Sequence, residues 1–342
     1  MKKVTWKSPS NIALVKYWGK YPVQLPANPS ISFTLSAAAT TTTLKYKQGT
    51  GQVVVFLEGE EAPSFLPKIH TFLERTQELF PFTREWDFEI HTSNSFPHSS
   101  GIASSASGMS ALSLCLMSVK EALGITITNF FEEASEAARL GYGSGSRSLY
   151  GPMAAWGTHE NTPGSNDRFA VAYNHIDPLF KSFQDTILLV DKGTKKVSST
   201  VGHQLMEGHP YAAARFQQAH TNQTALLTAL RDGDLEAFGA LVESEALTLH
   251  AMMMASTPYF ILMHPNTLKV IEAVWAFRKE TGTPLYFTLD AGANVHLLYP
   301  ASHKDVTLSF IEEHLKTFCK DGSYLCDAVG AGPWSSEYNG RN

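Results

Sequence analysis

Cysteine is scarce in this 342-residue chain: Cys115, Cys319 and Cys326 are the only three. An odd count without paired spacing argues against a disulfide scaffold. Cys115 sits in an apolar helical run and reads as core. Cys319 and Cys326 are near enough in sequence to pair, but free thiols suit this chain better. The thirteen histidines are scattered, and no H-E-x-x-H or clustered Cys/His spacing suggests zinc. Long apolar runs are missing too. No stretch approaches the roughly 18 residues of a membrane span. Lys2 and Lys3 are followed by Thr5, Lys7, Ser8 and Ser10, not by the apolar core of a signal peptide. A soluble, cytoplasmic protein is expected. Nor is there an excess of positive charge. Lys and Arg number 27 against 32 Asp and Glu, a net charge of -5. That gives no general attraction to nucleic acid or anionic membrane, so an anionic small molecule would need a local basic pocket. What is present is core material, with 43% hydrophobic and 17% charged residues. The length allows one large domain or two ordinary ones.

The most informative stretch is 94–108, Asn-Ser-Phe-Pro-His-Ser-Ser-Gly-Ile-Ala-Ser-Ser-Ala-Ser-Gly. The alternating residues 86–91 before it predict a strand, and the apolar residues 109–123 after it predict a helix. A small, hydroxyl-rich loop feeding a helix start suits an anion. Gly101 and Gly108 allow close backbone approach, and Ser104 and Ser105 offer caps and hydroxyls. The free N–H groups and dipole of the first helical turn favour phosphate. The loop is neither a Walker A nor a G-x-G-x-x-G sequence. An ordinary capped surface loop is the competing reading.

Along the rest of the chain, residues 4–6 predict a short strand ending near Pro9. Residues 40–46 and 52–57 predict a hairpin turning at 49–51. Helices are expected over 64–79, 128–140 (capped by Asn129), 211–229, 235–254, 266–281 and 306–318. Asp232-Gly233-Asp234 should stop one helix and cap the next. Strands are expected at 169–173, 186–190 and 284–289. The domain boundary falls near residue 184. Residues 334–342 read as a frayed tail. Lys16 and Lys20 lie four apart around Tyr17-Trp18, and two ammoniums so close need an anion to offset them. Arg147 ends the glycine-rich run 141–151, and its planar fork suits a carboxylate or phosphate. Asp290 opens a tight Asp-Ala-Gly-Ala-Asn turn, where aspartate is common for conformational reasons alone. His250 and Met252 to Met254 read as structural.

The loop pattern Pro97-x-x-x-Gly101-Ile-Ala-Ser-Ser-Ala106 resembles the phosphate loop of the galactokinase, homoserine kinase, mevalonate kinase and phosphomevalonate kinase (GHMP) superfamily. Ser10-Asn-Ile-Ala-Leu-Val-Lys-Tyr-Trp-Gly-Lys20 narrows this, because it resembles the N-terminal signature of the mevalonate diphosphate decarboxylase family. Pro26-Ala-Asn-Pro-Ser-Ile-Ser32, the Arg147 block and the Asp290 turn follow in that family's order. Three departures stand out. Tyr21-Pro22 replaces Arg-Asp, Ala293 replaces a proline, and Tyr142 stands where the family has a serine. Sliding 143–146 onto the family's Gly-Ser-Gly-Ser would restore the serines at the expense of a two-residue deletion.

The resemblance implies a two-domain α+β fold: a GHMP-kinase-type N-terminal domain over 1–184, like the second domain of ribosomal protein S5, and a ferredoxin-like C-terminal domain over 185–342. It implies ATP-dependent decarboxylation of 5-diphosphomevalonate, in the mevalonate pathway of isoprenoid biosynthesis, by a cytoplasmic homodimer. ATP would lie on Pro97, Ser99, Ser100, Gly101, Ala103, Ser104, Ser105 and Ala106, with Mg²⁺ at Ser105. Asp290 would be the catalytic carboxylate, and Arg147 would hold the substrate carboxylate. Lys16, Tyr17 and Lys20 would neutralise phosphates, and Asn11 would bond near the carboxylate or Lys16. Ser144, Ser146, Ser198 and Ser199 would line the substrate. The alternatives are a kinase of the same superfamily acting on a mevalonate-like alcohol, a decarboxylase preferring 5-phosphomevalonate, and a ligand-binding homologue without turnover.

Overall fold

The computed structural model describes residues 1–96, 104–193 and 199–338, without the side chains of residues 199 and 200. Two long strands organise the first half. β1 (Lys2–Val15) and β4 (Ser30–Gln48) pair antiparallel along most of their length. Between them β2 (Lys20–Tyr21) and β3 (Leu25–Pro26) form a small ribbon. β5 (Val53–Leu57), β6 (Glu60–Glu61), β7 (Trp86–Asn94), β8 (Met153–Trp156) and β9 (Val171–Ala172) complete a sheet of order β6-β5-β7-β4-β8-β9, with β1 on β4. The β-branched run 40–43 and its alternating burial suit a strand with one face on a core. That face is covered by α1 (Leu66–Arg75), α2 (Ser104–Ala122) and α3 (Phe130–Gly141), around Trp6, Phe88, Leu116 and Phe131. Asn129 caps α3, its side chain accepting from the N–H groups of Phe131 and Glu132.

In the second half, β10 (Gln184–Leu188), β11 (Tyr286–Leu289), β12 (Val295–Tyr299) and β13 (Tyr324–Ala328) form an antiparallel sheet of order β11-β12-β10-β13. Around it lie α4 (Ser199–Gln204), α5 (Ala212–Asp232), α6 (Leu235–Met254), α7 (Pro265–Thr281) and α8 (Lys304–Phe310). Gly233 ends α5 at φ +72°, and the Asp234 side chain caps α6. A continuous core of Ile12, Phe33, Phe183, Phe238 and Leu298 joins the two halves. No helix of the described residues is long and apolar enough to cross a membrane, and all three cysteines are free.

Four sequence expectations are corrected. The strand expected at 4–6 runs to Val15. Pro9, which has no N–H to give the ladder, is accommodated by a register shift between Pro9 and Asn11. The stretches at 40–46 and 52–57 are both strands but do not pair with each other; β7 lies between them, parallel to β5. The 49–52 turn is tied instead to β7, since Asp87 accepts from the N–H groups of Thr50 and Gln52. The helix expected over 306–318 is helical to Phe318 but α only to Phe310; it continues as a π turn, Ile311–Leu315, that keeps both of those end residues buried, and a 3₁₀ turn, Lys316–Phe318. The tail is docked rather than frayed as far as Tyr338. Trp334 and Lys7 exchange backbone hydrogen bonds, and Tyr338 stacks on Phe130.

The last strand also reaches the first sheet through one carboxylate. Asp327 accepts from the N–H groups of Ser36, Ala37 and Ala38, at 3.0, 2.8 and 2.6 Å. Replacing Asp327 with alanine leaves these donors short of partners. The unfolding free energy in urea should fall by about 1–3 kcal/mol, with the m-value unchanged.

Candidate active site

The ladder of β1 ends at Val15, and the chain turns through Lys16-Tyr17-Trp18-Gly19 into the space between the two sheets. Gly19 has φ +101°, and a Cβ there would lie 2.8 Å from the Phe216 ring, so no other residue fits easily. Lys16 is buried, and its Nζ donates to Asp290 Oδ1 at 3.1 Å. Asp290 follows β11, so the pair joins the two sheets. Burial lowers the Lys16 pKa, and the Asp290 carboxylate opposes that shift. The anion required by the two clustered lysines is therefore Asp290 for Lys16. Lys20 lies on the short ribbon and donates to Gln24 Oε1 at 3.1 Å.

Arg147 comes from the 3₁₀ turn Gly143–Leu149 that follows α3. Its Nε donates to Asn11 Oδ1 at 3.3 Å and its Nη1 to Ser30 Oγ at 2.5 Å. Burial pulls its pKa down to about 10, with Asp290 opposing, so the guanidinium stays charged at neutral pH. Asn11 also donates to Ser148 Oγ and to the Ser144 carbonyl, at 2.8 and 3.2 Å. It therefore orients Arg147 and its turn and makes no recorded bond to Lys16. The Ser146 hydroxyl donates to the Gly143 carbonyl and serves the turn itself.

Tyr17 lies beside them, its ring against Trp156 and His203. Its hydroxyl is buried and has no hydrogen-bond partner among the described residues. A Cβ on Gly143 would come within 2.8 Å of that oxygen. Burial raises the phenol pKa. An unpartnered buried hydroxyl beside a buried guanidinium fits a polar ligand.

Three residues gain significance only in the structure. Lys68 on α1 donates to Ser105 Oγ at 3.2 Å, in the first turn of α2, and lies 5.1 Å from the Tyr142 ring centroid. Burial lowers its pKa. His203 on α4 accepts from the Gly19 N–H at 3.0 Å and packs on Tyr17 and Trp18. His250 on α6 lies with Nε2 3.1 Å from the Asp290 carbonyl. Nothing in the sequence separates Lys68 from other helix-surface lysines, or His203 from the other histidines. Pro97, Ser99, Ser100, Gly101, Ala103, Ser198 and the Ser199 side chain lie outside the described residues. Ser104 and Ala106 open α2 beside Ser105. Among the described residues no group of three His, Cys, Asp or Glu side chains is placed to hold a metal.

Fold and site together define an α+β protein of two sheets, with an ammonium–carboxylate pair and a buried arginine set between them. Comparison with known proteins makes this specific. Residues 8–170 match the diphosphomevalonate decarboxylase-like N-terminal domain, and residues 186–330 match the mevalonate 5-diphosphate decarboxylase C-terminal domain. The chain is 30% identical to the diphosphomevalonate decarboxylase of Candida albicans over 327 residues, covering 90% of this chain and 87% of that one. It is 28% identical to the phosphomevalonate decarboxylase of Haloferax volcanii over 308 residues, covering 89% and 90%. The solved mevalonate diphosphate decarboxylase of Enterococcus faecalis superposes with a TM-score of 0.84 at 26% identity, covering 97% of this chain and 98% of its own. A solved complex with MVAPP, AMPPCP and magnesium superposes equally well, with a TM-score of 0.84 and the same identity and coverage. The chain belongs to the diphosphomevalonate decarboxylase family.

Burial pushes the pKa of His250 down to about 4 and that of His203 to about 3, with Lys20 and Arg147 adding to the shift at His203. The unfolded chain takes up these protons near pH 6.5. These groups therefore take nothing from stability above pH 6.5, and stability is lost as the pH falls from 6.5 towards 4. The slope is at most about 1.4 kcal/mol per pH unit for fully buried His250, and smaller for partly exposed His203. Urea unfolding between pH 7 and 4.5 should show this decline, and His250→Gln should flatten it.

Proposed function

We propose that this protein catalyses the ATP-dependent decarboxylation of 5-diphosphomevalonate to isopentenyl diphosphate, releasing ADP, phosphate and CO₂. The single observation that carries the reading is the Lys16–Asp290 pair, set between the sheets beside buried Arg147 and the unpartnered Tyr17 hydroxyl. Asp290 orients the C3 hydroxyl and accepts its proton as the γ-phosphoryl group moves to that oxygen. Lys16 favours the charged form of Asp290. The C3–O bond then breaks, phosphate leaves with the electron pair, and C3 becomes cationic. Cleavage of the bond to the carboxylate returns a pair to form the alkene and frees CO₂. Arg147, aimed by Asn11, holds the carboxylate until that step, and the Tyr17 hydroxyl and Lys20 bond the substrate's polar atoms.

The residues present fit a nucleotide triphosphate. The N–H groups at the start of α2, the Ser105 hydroxyl and the half-buried Lys68 ammonium converge there. Ser105 would help hold Mg²⁺, which would supply charge neutralisation for the transferred phosphoryl group. Pro97, Ser99, Ser100, Gly101, Ala103, Ser198 and Ser199 keep their family roles within this proposal, as do the domain limits 1–184 and 185–342, a homodimer and a cytoplasmic location. A second reading, that 5-phosphomevalonate is preferred, is favoured by the Haloferax relative and by Tyr142, whose bulk replaces a serine next to Lys68.

Assay of ADP, phosphate and CO₂ together decides between these readings. Equal release of all three from the diphosphate is expected; ADP without CO₂ would mean a kinase. Turnover of the monophosphate alone would establish the second reading. Asp290→Asn should lower kcat by at least about a thousandfold with substrate binding retained. Lys68→Met should raise the KM for ATP about tenfold or more, and leave that of the mevalonate substrate within about threefold.

A further inference from the structure

We infer that helix α6 is the device that sets the Lys16–Asp290 pair, with Glu245, His250 and, from α5, Arg215 as positioning residues. The inference rests on the catalytic reading of that pair given above. Lys16 and Asp290 each follow the last residue of a strand, β1 and β11, where the ladder ends. For Lys16 the ladder is replaced by side chains. Its N–H donates to Glu245 Oε2 at 2.8 Å, and its carbonyl accepts from Arg215 Nη2 at 3.2 Å and Asn28 Nδ2 at 3.0 Å. For Asp290 the carbonyl accepts locally from the Gly292 N–H at 2.7 Å, and His250 is the group that ties it to α6. The ring is neutral at pH 7, so its Nε2–H donates to the Asp290 carbonyl.

Glu245 and His250 are five residues apart on one helix, about 7.5 Å along its axis. That helix is itself pinned. Arg215 forks onto both Glu245 oxygens, at 2.8 and 2.5 Å, and Asn222 adds a bond of 2.7 Å to Oε1. On the other side Glu243 accepts from Arg278 and Trp275 of α7, at 2.7 and 2.9 Å. The Arg215 and Glu245 side chains have no exposed surface. A buried ion pair is poor evidence of stabilisation, because desolvation offsets most of the attraction. It does supply directional bonds, and here two of them end on the backbone of Lys16. α6 thus holds one residue of the pair through Glu245 and the other through His250, from outside the substrate space.

The test uses the full-length protein with three changes: His250→Leu, His250→Gln, and the double variant Arg215→Leu/Glu245→Leu, which leaves no lone buried charge. His250→Leu and the double variant should lower kcat by about ten- to a hundredfold, with the KM of both substrates within about threefold. His250→Gln keeps an N–H donor and should retain kcat within about threefold. A kcat unchanged in the Leu variant, or lost equally in Leu and Gln in step with melting temperature, would overturn the assignment. A second readout needs no turnover. Acylation of Lys16, followed by peptide mass spectrometry, should be slow in the wild type and in His250→Gln and about tenfold faster in His250→Leu. Equal rates in all three would sink the inference. A wild type inactive with both phosphorylated mevalonates, yet showing the labelling pattern, would refute the catalytic reading and leave the positioning intact.

Discussion

An ammonium and a carboxylate brought together from two different sheets impose the central constraint on this molecule. Lys16 follows a strand of the first sheet and Asp290 a strand of the second, so their 3.1 Å separation holds only while the sheets keep one relative placement. Burying Lys16 costs several kcal/mol of lost hydration, which Asp290 recovers only at close range. The shared core of Ile12, Phe33, Phe238 and Leu298 fixes that placement without direction, and the Asp327 carboxylate gives it direction. Packing therefore sets the distance between sheets, and hydrogen bonds set the register.

The same division separates what was legible in the sequence from what was not. Helix α6 was read with its true ends, because Asp234 is a strong cap and the apolar period is unbroken. The Asn129 cap and the stop at Gly233 were equally plain. Lys16, Arg147 and Asp290 were each visible inside a motif. The contact between Lys16 and Asp290 was not, since 274 residues separate them. β5 and β4 show where alternation fails: it marks a strand but does not name its neighbour. Asn11 is expected near a carboxylate or Lys16, and its bond to Arg147 is visible only in the fold. His250 read as structural, which describes its burial but not its bond to Asp290. Lys68 carries no local signal at all, because its meaning comes from Ser105 across 37 residues.

Tyr142 shows how one residue can join two regions. It follows α3, lies under the Lys68 ammonium and leads into the turn that carries Arg147. A serine in that position would bring a hydroxyl and leave room. A phenol brings a polarisable face that attracts the cation and fills the room. The change therefore alters volume and charge distribution together, at the boundary between the Lys68–Ser105 contact and the Arg147 turn.

The docked segment 329–338 gives the chain an order of assembly. Lys7 exchanges backbone bonds with Trp334, Leu35 bridges to Val329, and Tyr338 lies among Trp6 and Phe130. β1 is thus completed by a segment more than 300 residues further along the chain. The first sheet can collapse on its nearer contacts, but it stays unfinished along one stretch until this segment arrives. Contacts of such long range are slow to form, because loop closure must come before any of their bonds. Closure of the N-terminal sheet along this stretch therefore waits on its most distant partner in the chain.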